Sequence, residues 1–228
     1  MKAKIGKSYL TEILHEGGKI NFQYPSFRGN YGNVAEKIDA EGLQRPNSSE
    51  TALLVYDAFQ NPEGKYESEI IDILNKGWFW EFTGNLYIPK SNEEINNGVI
   101  LENNPKIING RLAMDKDSLI NRLQEGDSNV QFVPFGFKAG EQTSRELEKN
   151  PYVVARYGEE GAEKIAEIAD KYRRNPRVWA FDSVDEKIQR VSVLYREWGF
   201  GDRIGVDGNG RHHDGGGCAF GVVPNKGE

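Results

Sequence analysis

The 228-residue sequence holds one cysteine, Cys218, with two methionines and three histidines. One thiol cannot close an intrachain disulfide, so nothing in the sequence requires an oxidising compartment. No apolar run approaches the ~20 residues that span a bilayer. The start, Met1 to Lys7, is not followed by a continuous apolar stretch, so no signal peptide is recognisable. The expectation is a soluble chain without a membrane span, cytoplasmic by default, whose export by another route is not legible. Basic charge is also short: 29 Lys and Arg against 35 Asp and Glu give a formal net charge of −6. That argues against a nucleic-acid partner, because phosphate neutralisation needs a basic field. The best local exception, Lys171-Tyr172-Arg173-Arg174 with Arg177, reads more simply as the cationic last turn of a helix.

Catalytic patterns are equally scarce. There is no G-x-S-x-G, Cys218 lies in an apolar run where a thiol is usually inert, and Glu93-Glu94 and Glu159-Glu160 look like solvated pairs. No enzyme activity and no cofactor are expected. Linkers of low complexity and internal repeats are missing too, so residues 1–228 read as one α+β domain.

What is present is a series of short elements. Lys19 to Pro25 alternates as a strand. Asn47 with Glu50 forms a capping box that opens a helix through Phe59, and a second helix runs from about Tyr66 to Lys76, stopped by Gly77. The aromatic runs Trp78–Phe82 and Leu86–Pro89, on either side of Gly84-Asn85, predict a β-hairpin. Its tryptophans could form a ligand platform, though filling the core of a sheet is the plainer reading. Strands are expected at Gly98–Leu101, Val130–Phe135 and Arg177–Phe181, with helices at Asp117–Glu125 and Gly158–Arg174. His15 stands among helix-like residues.

The stretch Val191 to Val223 is unlike the rest. It is dense in glycine, contains His212, His213 and Cys218, and ends in the apolar run Cys218 to Val223. From Gly199 to Cys218 it has no Lys, Glu, Gln, Met or Trp, although Lys and Glu abound elsewhere. His212-His213-Asp214 with Cys218 are competent zinc ligands, but adjacent histidines diverge on an extended chain and no second cluster completes the set. Asp207-Gly208-Asn209-Gly210 hints at a calcium loop, yet Arg211 takes a ligand position and no glutamate closes it. Gly199 to Gly205 matches a dinucleotide fingerprint only loosely. No metal is expected.

This stretch resembles the variable proteins of diversity-generating retroelements, in particular their archaeal branch. The matching frame is Arg190-Val191-Ser192-Val193-Leu194, then Ile204-Gly205-Val206-Asp207-Gly208, then Gly216-Gly217 with Ala219-Phe220-Gly221-Val222. Upstream, Gly158 to Glu163 and Val178-Trp179-Ala180-Phe181-Asp182 are similar to the same family. The resemblance implies a C-type lectin-like α+β fold, with a small mixed or antiparallel sheet and flanking helices. It also implies a variable ligand-binding region at about 190–222. In that family a template RNA is copied with errors at adenines, turning AAC codons into NNC codons, which cannot encode Lys, Glu, Gln, Met or Trp. Those are the five types missing between Gly199 and Cys218. Glu197 and Trp198 lie outside the NNC set and so should be fixed scaffold or lie outside the mutated positions.

A surface that tolerates wholesale substitution must point its variable side chains outward while other residues carry the fold. Strand alternation lets Ile204 and Val206 be buried while Arg203 and its neighbours face solvent. The expected ligand-binding residues are Tyr195, Phe200, Asp202, Arg203, Asn209, Arg211, His212, His213, Asp214 and Cys218. Their ligand would be an unidentified macromolecule, a protein or a surface glycan. Two other classes compete: a metal-dependent enzyme using His212, His213 and Asp214, and a structural or assembly protein. Free exchange of those side chains without loss of folding marks the display reading. Loss of activity marks the enzyme, and a constant oligomer interface marks the assembly protein.

Overall fold

The computed structural model describes residues 2–4, 9–15, 18–197 and 201–224. Three strands, β1 (Lys2–Lys4), β2 (Tyr9–His15) and β3 (Gly18–Gln23), pair antiparallel at the N-terminal end. His15 therefore ends a strand rather than standing in a helix. Then follow β4 (Phe27–Gly29), α1 (Tyr31–Ala40), α2 (Ser48–Gln60) and α3 (Lys65–Lys76). α2 opens on the expected capping box: the Asn47 side chain accepts the Glu50 N–H, and the Glu50 carboxylate accepts the Asn47 N–H.

The next element is β5 (Trp78–Ile88), 11 residues long, where the sequence predicted a hairpin. Gly84-Asn85 makes no turn: both residues lie inside the strand, paired with Glu102 and Leu101. Gly84 is small for another reason: a Cβ there would lie 2.7 Å from the Met114 sulfur. Asn85 is fully buried, so its amide serves the interior rather than a loop.

The chain continues through β6 (Gly98–Asn103), β7 (Lys106–Ile108), β8 (Arg111–Ala113), α4 (Lys116–Gln124), β9 (Val130–Pro134), β10 (Gly140–Glu141) and α5 (Ser144–Leu147). α6 (Pro151–Ala169) is longer at its start than the periodicity indicated. Asn150 caps it, proline occupies its first turn, and Gly158 breaks the helical path at φ 74°, a conformation that costs glycine little. β11 (Arg177–Trp179), β12 (Ile188–Glu197), β13 (Arg203–Gly210) and β14 (Gly217–Ala219) complete the order.

Among the described residues nine strands form one mixed sheet in the order β10-β11-β13-β12-β5-β14-β4, with β6 on β5 and β9 on β6. The β5 strand is central: β12 pairs along one edge, while β6 and β14 share the other. Alternation then sorts the side chains. Phe79, Leu194, Ile204, Val206 and Cys218 point to a core closed by α2, α3 and α6. Trp80, Phe82, Val191, Val193 and Ala219 point the other way, under Tyr31, Val34 and Ile38 of α1. The two tryptophans divide accordingly. Trp80 is buried and donates to the Gly29 carbonyl at 2.9 Å, whereas Trp78 is half-buried.

A polar network crosses the helix side of this sheet. Arg156 of α6 pairs with Glu81 of β5, both fully enclosed. The guanidinium also donates to Ser48 Oγ at 3.1 Å and to the Val193 carbonyl at 3.1 Å. Burial pushes the Glu81 carboxyl up, while Arg156 and the hydroxyls of Tyr157 and Ser48 pull it back. The chain of contacts goes on from Tyr152, whose hydroxyl donates to Asn85 Oδ1 at 2.6 Å, and from Asn85 to Ser192 Oγ at 2.9 Å. An interior charge pair is tolerable only when its remaining hydrogen-bonding positions are filled. Helix, central strand and β12 meet that need for the Arg156 guanidinium, whereas Glu81 Oε1 has no hydrogen-bond partner among the described residues.

Candidate ligand-binding surface

The β13 strand carries the chain from the buried sheet to an exposed loop. Ile204 and Val206 are both 0% exposed, as the alternation required. Gly208 follows on the same side, and its carbonyl accepts a hydrogen bond from Tyr87 Oη at 2.9 Å. A Cβ on Gly208 would stand 1.8 Å from the Tyr152 hydroxyl, so no larger residue fits unless the network moves. On the opposite side Tyr195 lies flat across Gly205, where a Cβ would come within 2.8 Å of its ring. Tyr195 is half-buried, and burial raises its hydroxyl above the ordinary tyrosine range.

Two expected surface residues are not on the surface. Arg203 is 6% exposed, because two carboxylates close over it: Glu141 of β10 at 2.5 Å and Glu197 of β12 at 2.7 Å. Its strand parity is as expected, but the neighbouring strands bring the glutamates across its guanidinium. Hydrogen bonding from Arg203 holds the Glu141 carboxyl below its usual range. Glu197 is thereby engaged with Arg203 at the end of β12. Cys218 is 1% exposed, since β14 is inserted between β4 and β5 with Cys218 opposite Phe79. Burial pushes its thiol up to about 12.

The remaining candidates fall into two groups. Asp202 is half-buried, with Arg196 at 2.9 Å and Arg173 at 3.7 Å from its carboxylate oxygens. It stands at the start of β13, so strand geometry places it about 20–25 Å from Asn209. Phe200 and Trp198 lie outside the described residues. At the far end of β13, Asn209, Arg211, His213 and Asp214 are exposed and His212 is half-buried. Asn209 Oδ1 accepts from Arg190 Nε at 2.8 Å. The loop itself is a turn, Asp214 N–H to the Arg211 carbonyl at 3.2 Å. The two imidazoles meet edge to face at 5.3 Å, and His213 Nε2 is 4.0 Å from Asp214 Oδ1. Among the described residues the side chains of Arg211 to Asp214 take no hydrogen bond or ion pair from the scaffold.

Three neighbours outside the expected set of ligand-binding residues complete the surface. Arg111 of β8 comes up beside His212, and the Trp78 ring lies under Gly216. Trp78 is one of the two tryptophans weighed as a ligand platform, whereas no local pattern marks Arg111, which the β7–β8 hairpin brings there. Asp207, the first residue of the calcium-like pattern, is the third. Burial raises its carboxyl to about 6, although it accepts the Asn209 N–H at 2.6 Å. Among the described residues no three His, Cys, Asp or Glu side chains converge as a metal site would need. Cys218 is walled off from the histidines by its burial in the sheet.

No protein-family model matches the sequence, and no curated protein matches it. A solved structure does: a C-type lectin fold from Nanoarchaeota that accommodates massive sequence variation. It superposes with a TM-score of 0.56 at 17% identity, over 87% of this chain and 97% of that one. The mixed sheet, the helices on its flanks and this superposition establish that the chain has the C-type lectin fold.

Proposed function

We propose that the chain is a non-catalytic ligand-binding protein whose loop and strand end from Asn209 to Asp214 form a surface diversified by a retroelement. The observation that carries this reading is the separation of roles along β13. Ile204, Val206 and Gly208 are locked into the core and its polar network. Of the side chains that begin one residue later, Asn209, Arg211, His213 and Asp214 are exposed and His212 is half-buried, and His213 touches both His212 and Asp214. Such an arrangement lets side chains change while the backbone stays. The composition of Gly199 to Cys218 supports the same reading, since it lacks the five residue types that NNC codons cannot encode. So does the likeness to a fold known to carry massive sequence variation. Arginine is a frequent interface anchor, while glycine and asparagine give an adaptable frame.

The test is the DNA beside the coding region. A near-copy of the codons for about residues 190–222, differing at adenines and next to a reverse transcriptase, is the expected finding. A neighbourhood with neither repeat nor reverse transcriptase would remove the retroelement from the account.

A further inference from the structure

A cleft of ≈ 290 Å³ opens between the 211–214 loop and β8. Arg111, Arg190, Arg211, His212 and His213 all line it, and none of its lining residues is Asp or Glu. In a chain of net charge −6 this is a local reversal of sign. Among the described residues the three guanidinium groups also have no ion-pair partner. Arg190 donates only to neutral oxygens, Asn209 Oδ1 at 2.8 Å and the Gln189 carbonyl at 2.9 Å, and stands over the Phe181 ring.

We infer that this cleft receives an acidic side chain of a peptide or protein ligand, held by the guanidinium groups of Arg111, Arg190 and Arg211. The inference rests on the display reading and names the chemistry of its partner. Guanidinium groups bind carboxylates through paired, charge-assisted hydrogen bonds. The volume is at or below the lower limit of pockets that enclose a whole small molecule, about 300 Å³, so the cleft suits a side chain rather than a free ligand. Leu112 and Val191 supply an apolar wall for the methylenes of that side chain. The local field is visible at His212. Its ring is held below the ordinary histidine range by burial, then by His213, Arg111 and Arg190, with Asp214 alone pulling it back.

Part of the cleft lies outside the variable segment. Arg111, Leu112 and Gln189 belong to the scaffold, so a bias towards acidic ligands should persist when residues 211–214 change. Specificity would come from the loop, and the charge preference partly from β8.

The experiment is selection of a random peptide library on the full chain at low salt, followed by synthesis of the recovered sequences. Enrichment of Asp and Glu is expected. Replacing the recovered acid by its amide, or making Arg111→Gln, should each weaken binding by about tenfold or more, and added salt should weaken it further. Arg111→Lys should restore part of the affinity, with the melting temperature unchanged in both variants. Recovery of neutral or basic peptides, recovery of nothing, or acidic peptides that bind Arg111→Gln unchanged would overturn the inference. Inorganic phosphate or sulfate that outcompetes the peptides where acetate does not would also overturn it, reassigning the cleft to those oxyanions. Neutral peptides whose binding depends on Arg211 and His213 would sink the acidic claim and leave the display surface standing. Binding indifferent to Arg111, Arg211 and His213 alike would sink both.

Discussion

Gly208 and Asn209 are adjacent on one strand end, and replacing each by alanine should have opposite consequences. At Gly208 the new methyl would be 1.8 Å from the Tyr152 hydroxyl and 2.9 Å from that of Tyr87. Both rings are fully buried, so neither can swing into solvent. Forcing Tyr152 aside breaks its 2.6 Å bond to Asn85, and moving the strand breaks the 2.9 Å bond from Tyr87 to the Gly208 carbonyl. Overpacking costs about 1–3 kcal/mol, and a buried polar group left without a partner about 1–3 kcal/mol more. The expected loss is therefore about 2–6 kcal/mol. At Asn209 the change removes one exposed hydrogen bond from Arg190 and should cost within about 0.5 kcal/mol. Urea titrations followed by circular dichroism and tryptophan fluorescence would measure both. A Gly208→Ala loss below about 1 kcal/mol, or equal losses at the two positions, would refute the division of β13 into frame and display.

Three further outcomes follow from the same frame. Phe220 is 1% exposed and packs against Phe79 with ring centres 6.2 Å apart, so Phe220→Ala should lower stability by about 3–5 kcal/mol in denaturant melts; a change under about 1 kcal/mol would show the C-terminal run is not core. Cys218, buried with its thiol pushed up to about 12, should fail to react with an aromatic disulfide reagent in the native state and react once on denaturation; rapid native labelling would contradict the placement of β14. The folded-state value of Asp207, raised to about 6, exceeds the unfolded value near 4. The native state then binds the extra proton, and stability falls as pH rises between those two values. Asp207→Asn should flatten that slope and stabilise the protein at pH 7 by about 1–3 kcal/mol, and an unchanged profile would show the carboxylate is well solvated.

Much of the frame was legible because its signals are local. The Asn47–Glu50 capping box, the stop at Gly77 and the alternation of Ile204 and Val206 need only neighbours a few residues away. The α1 helix goes unread in the sequence although its buried residues Tyr31, Val34, Ala35 and Ile38 fall at the i, i+3, i+4, i+7 spacing of a helix face, because Gly29-Asn30 and Gly32-Asn33 at its start carry the composition of a turn. The false hairpin has a physical cause. Gly84-Asn85 reads as a turn, but Gly84 is small because Met114 packs on it, and Asn85 is polar because Tyr152 and Ser192 need it. Both reasons are long-range. The candidate surface divides the same way. Exposure at Asn209 and at Arg211, His213 and Asp214 follows from a glycine-rich break in an apolar pattern. The burial of Arg203 depends on Glu141, 62 residues away in sequence. Cys218 was placed on the surface although it opens an apolar run, and the parallel pairing with β5 that buries it leaves no mark in its own segment.

The central claim is that residues 209–214 can change without the fold. Its most direct measurement is one variant with Asn209, Arg211, His212, His213 and Asp214 all replaced by other NNC-type residues, compared with the parent in thermal melts and in binding to a peptide selected on the parent. The account predicts a melting temperature within about 2–4 °C of the parent, the shift that ~1 kcal/mol gives a chain of this size, with binding of the peptide lost. A variant that unfolds, with dichroism and fluorescence agreeing, would contradict the claim, because these side chains would then be holding the structure together.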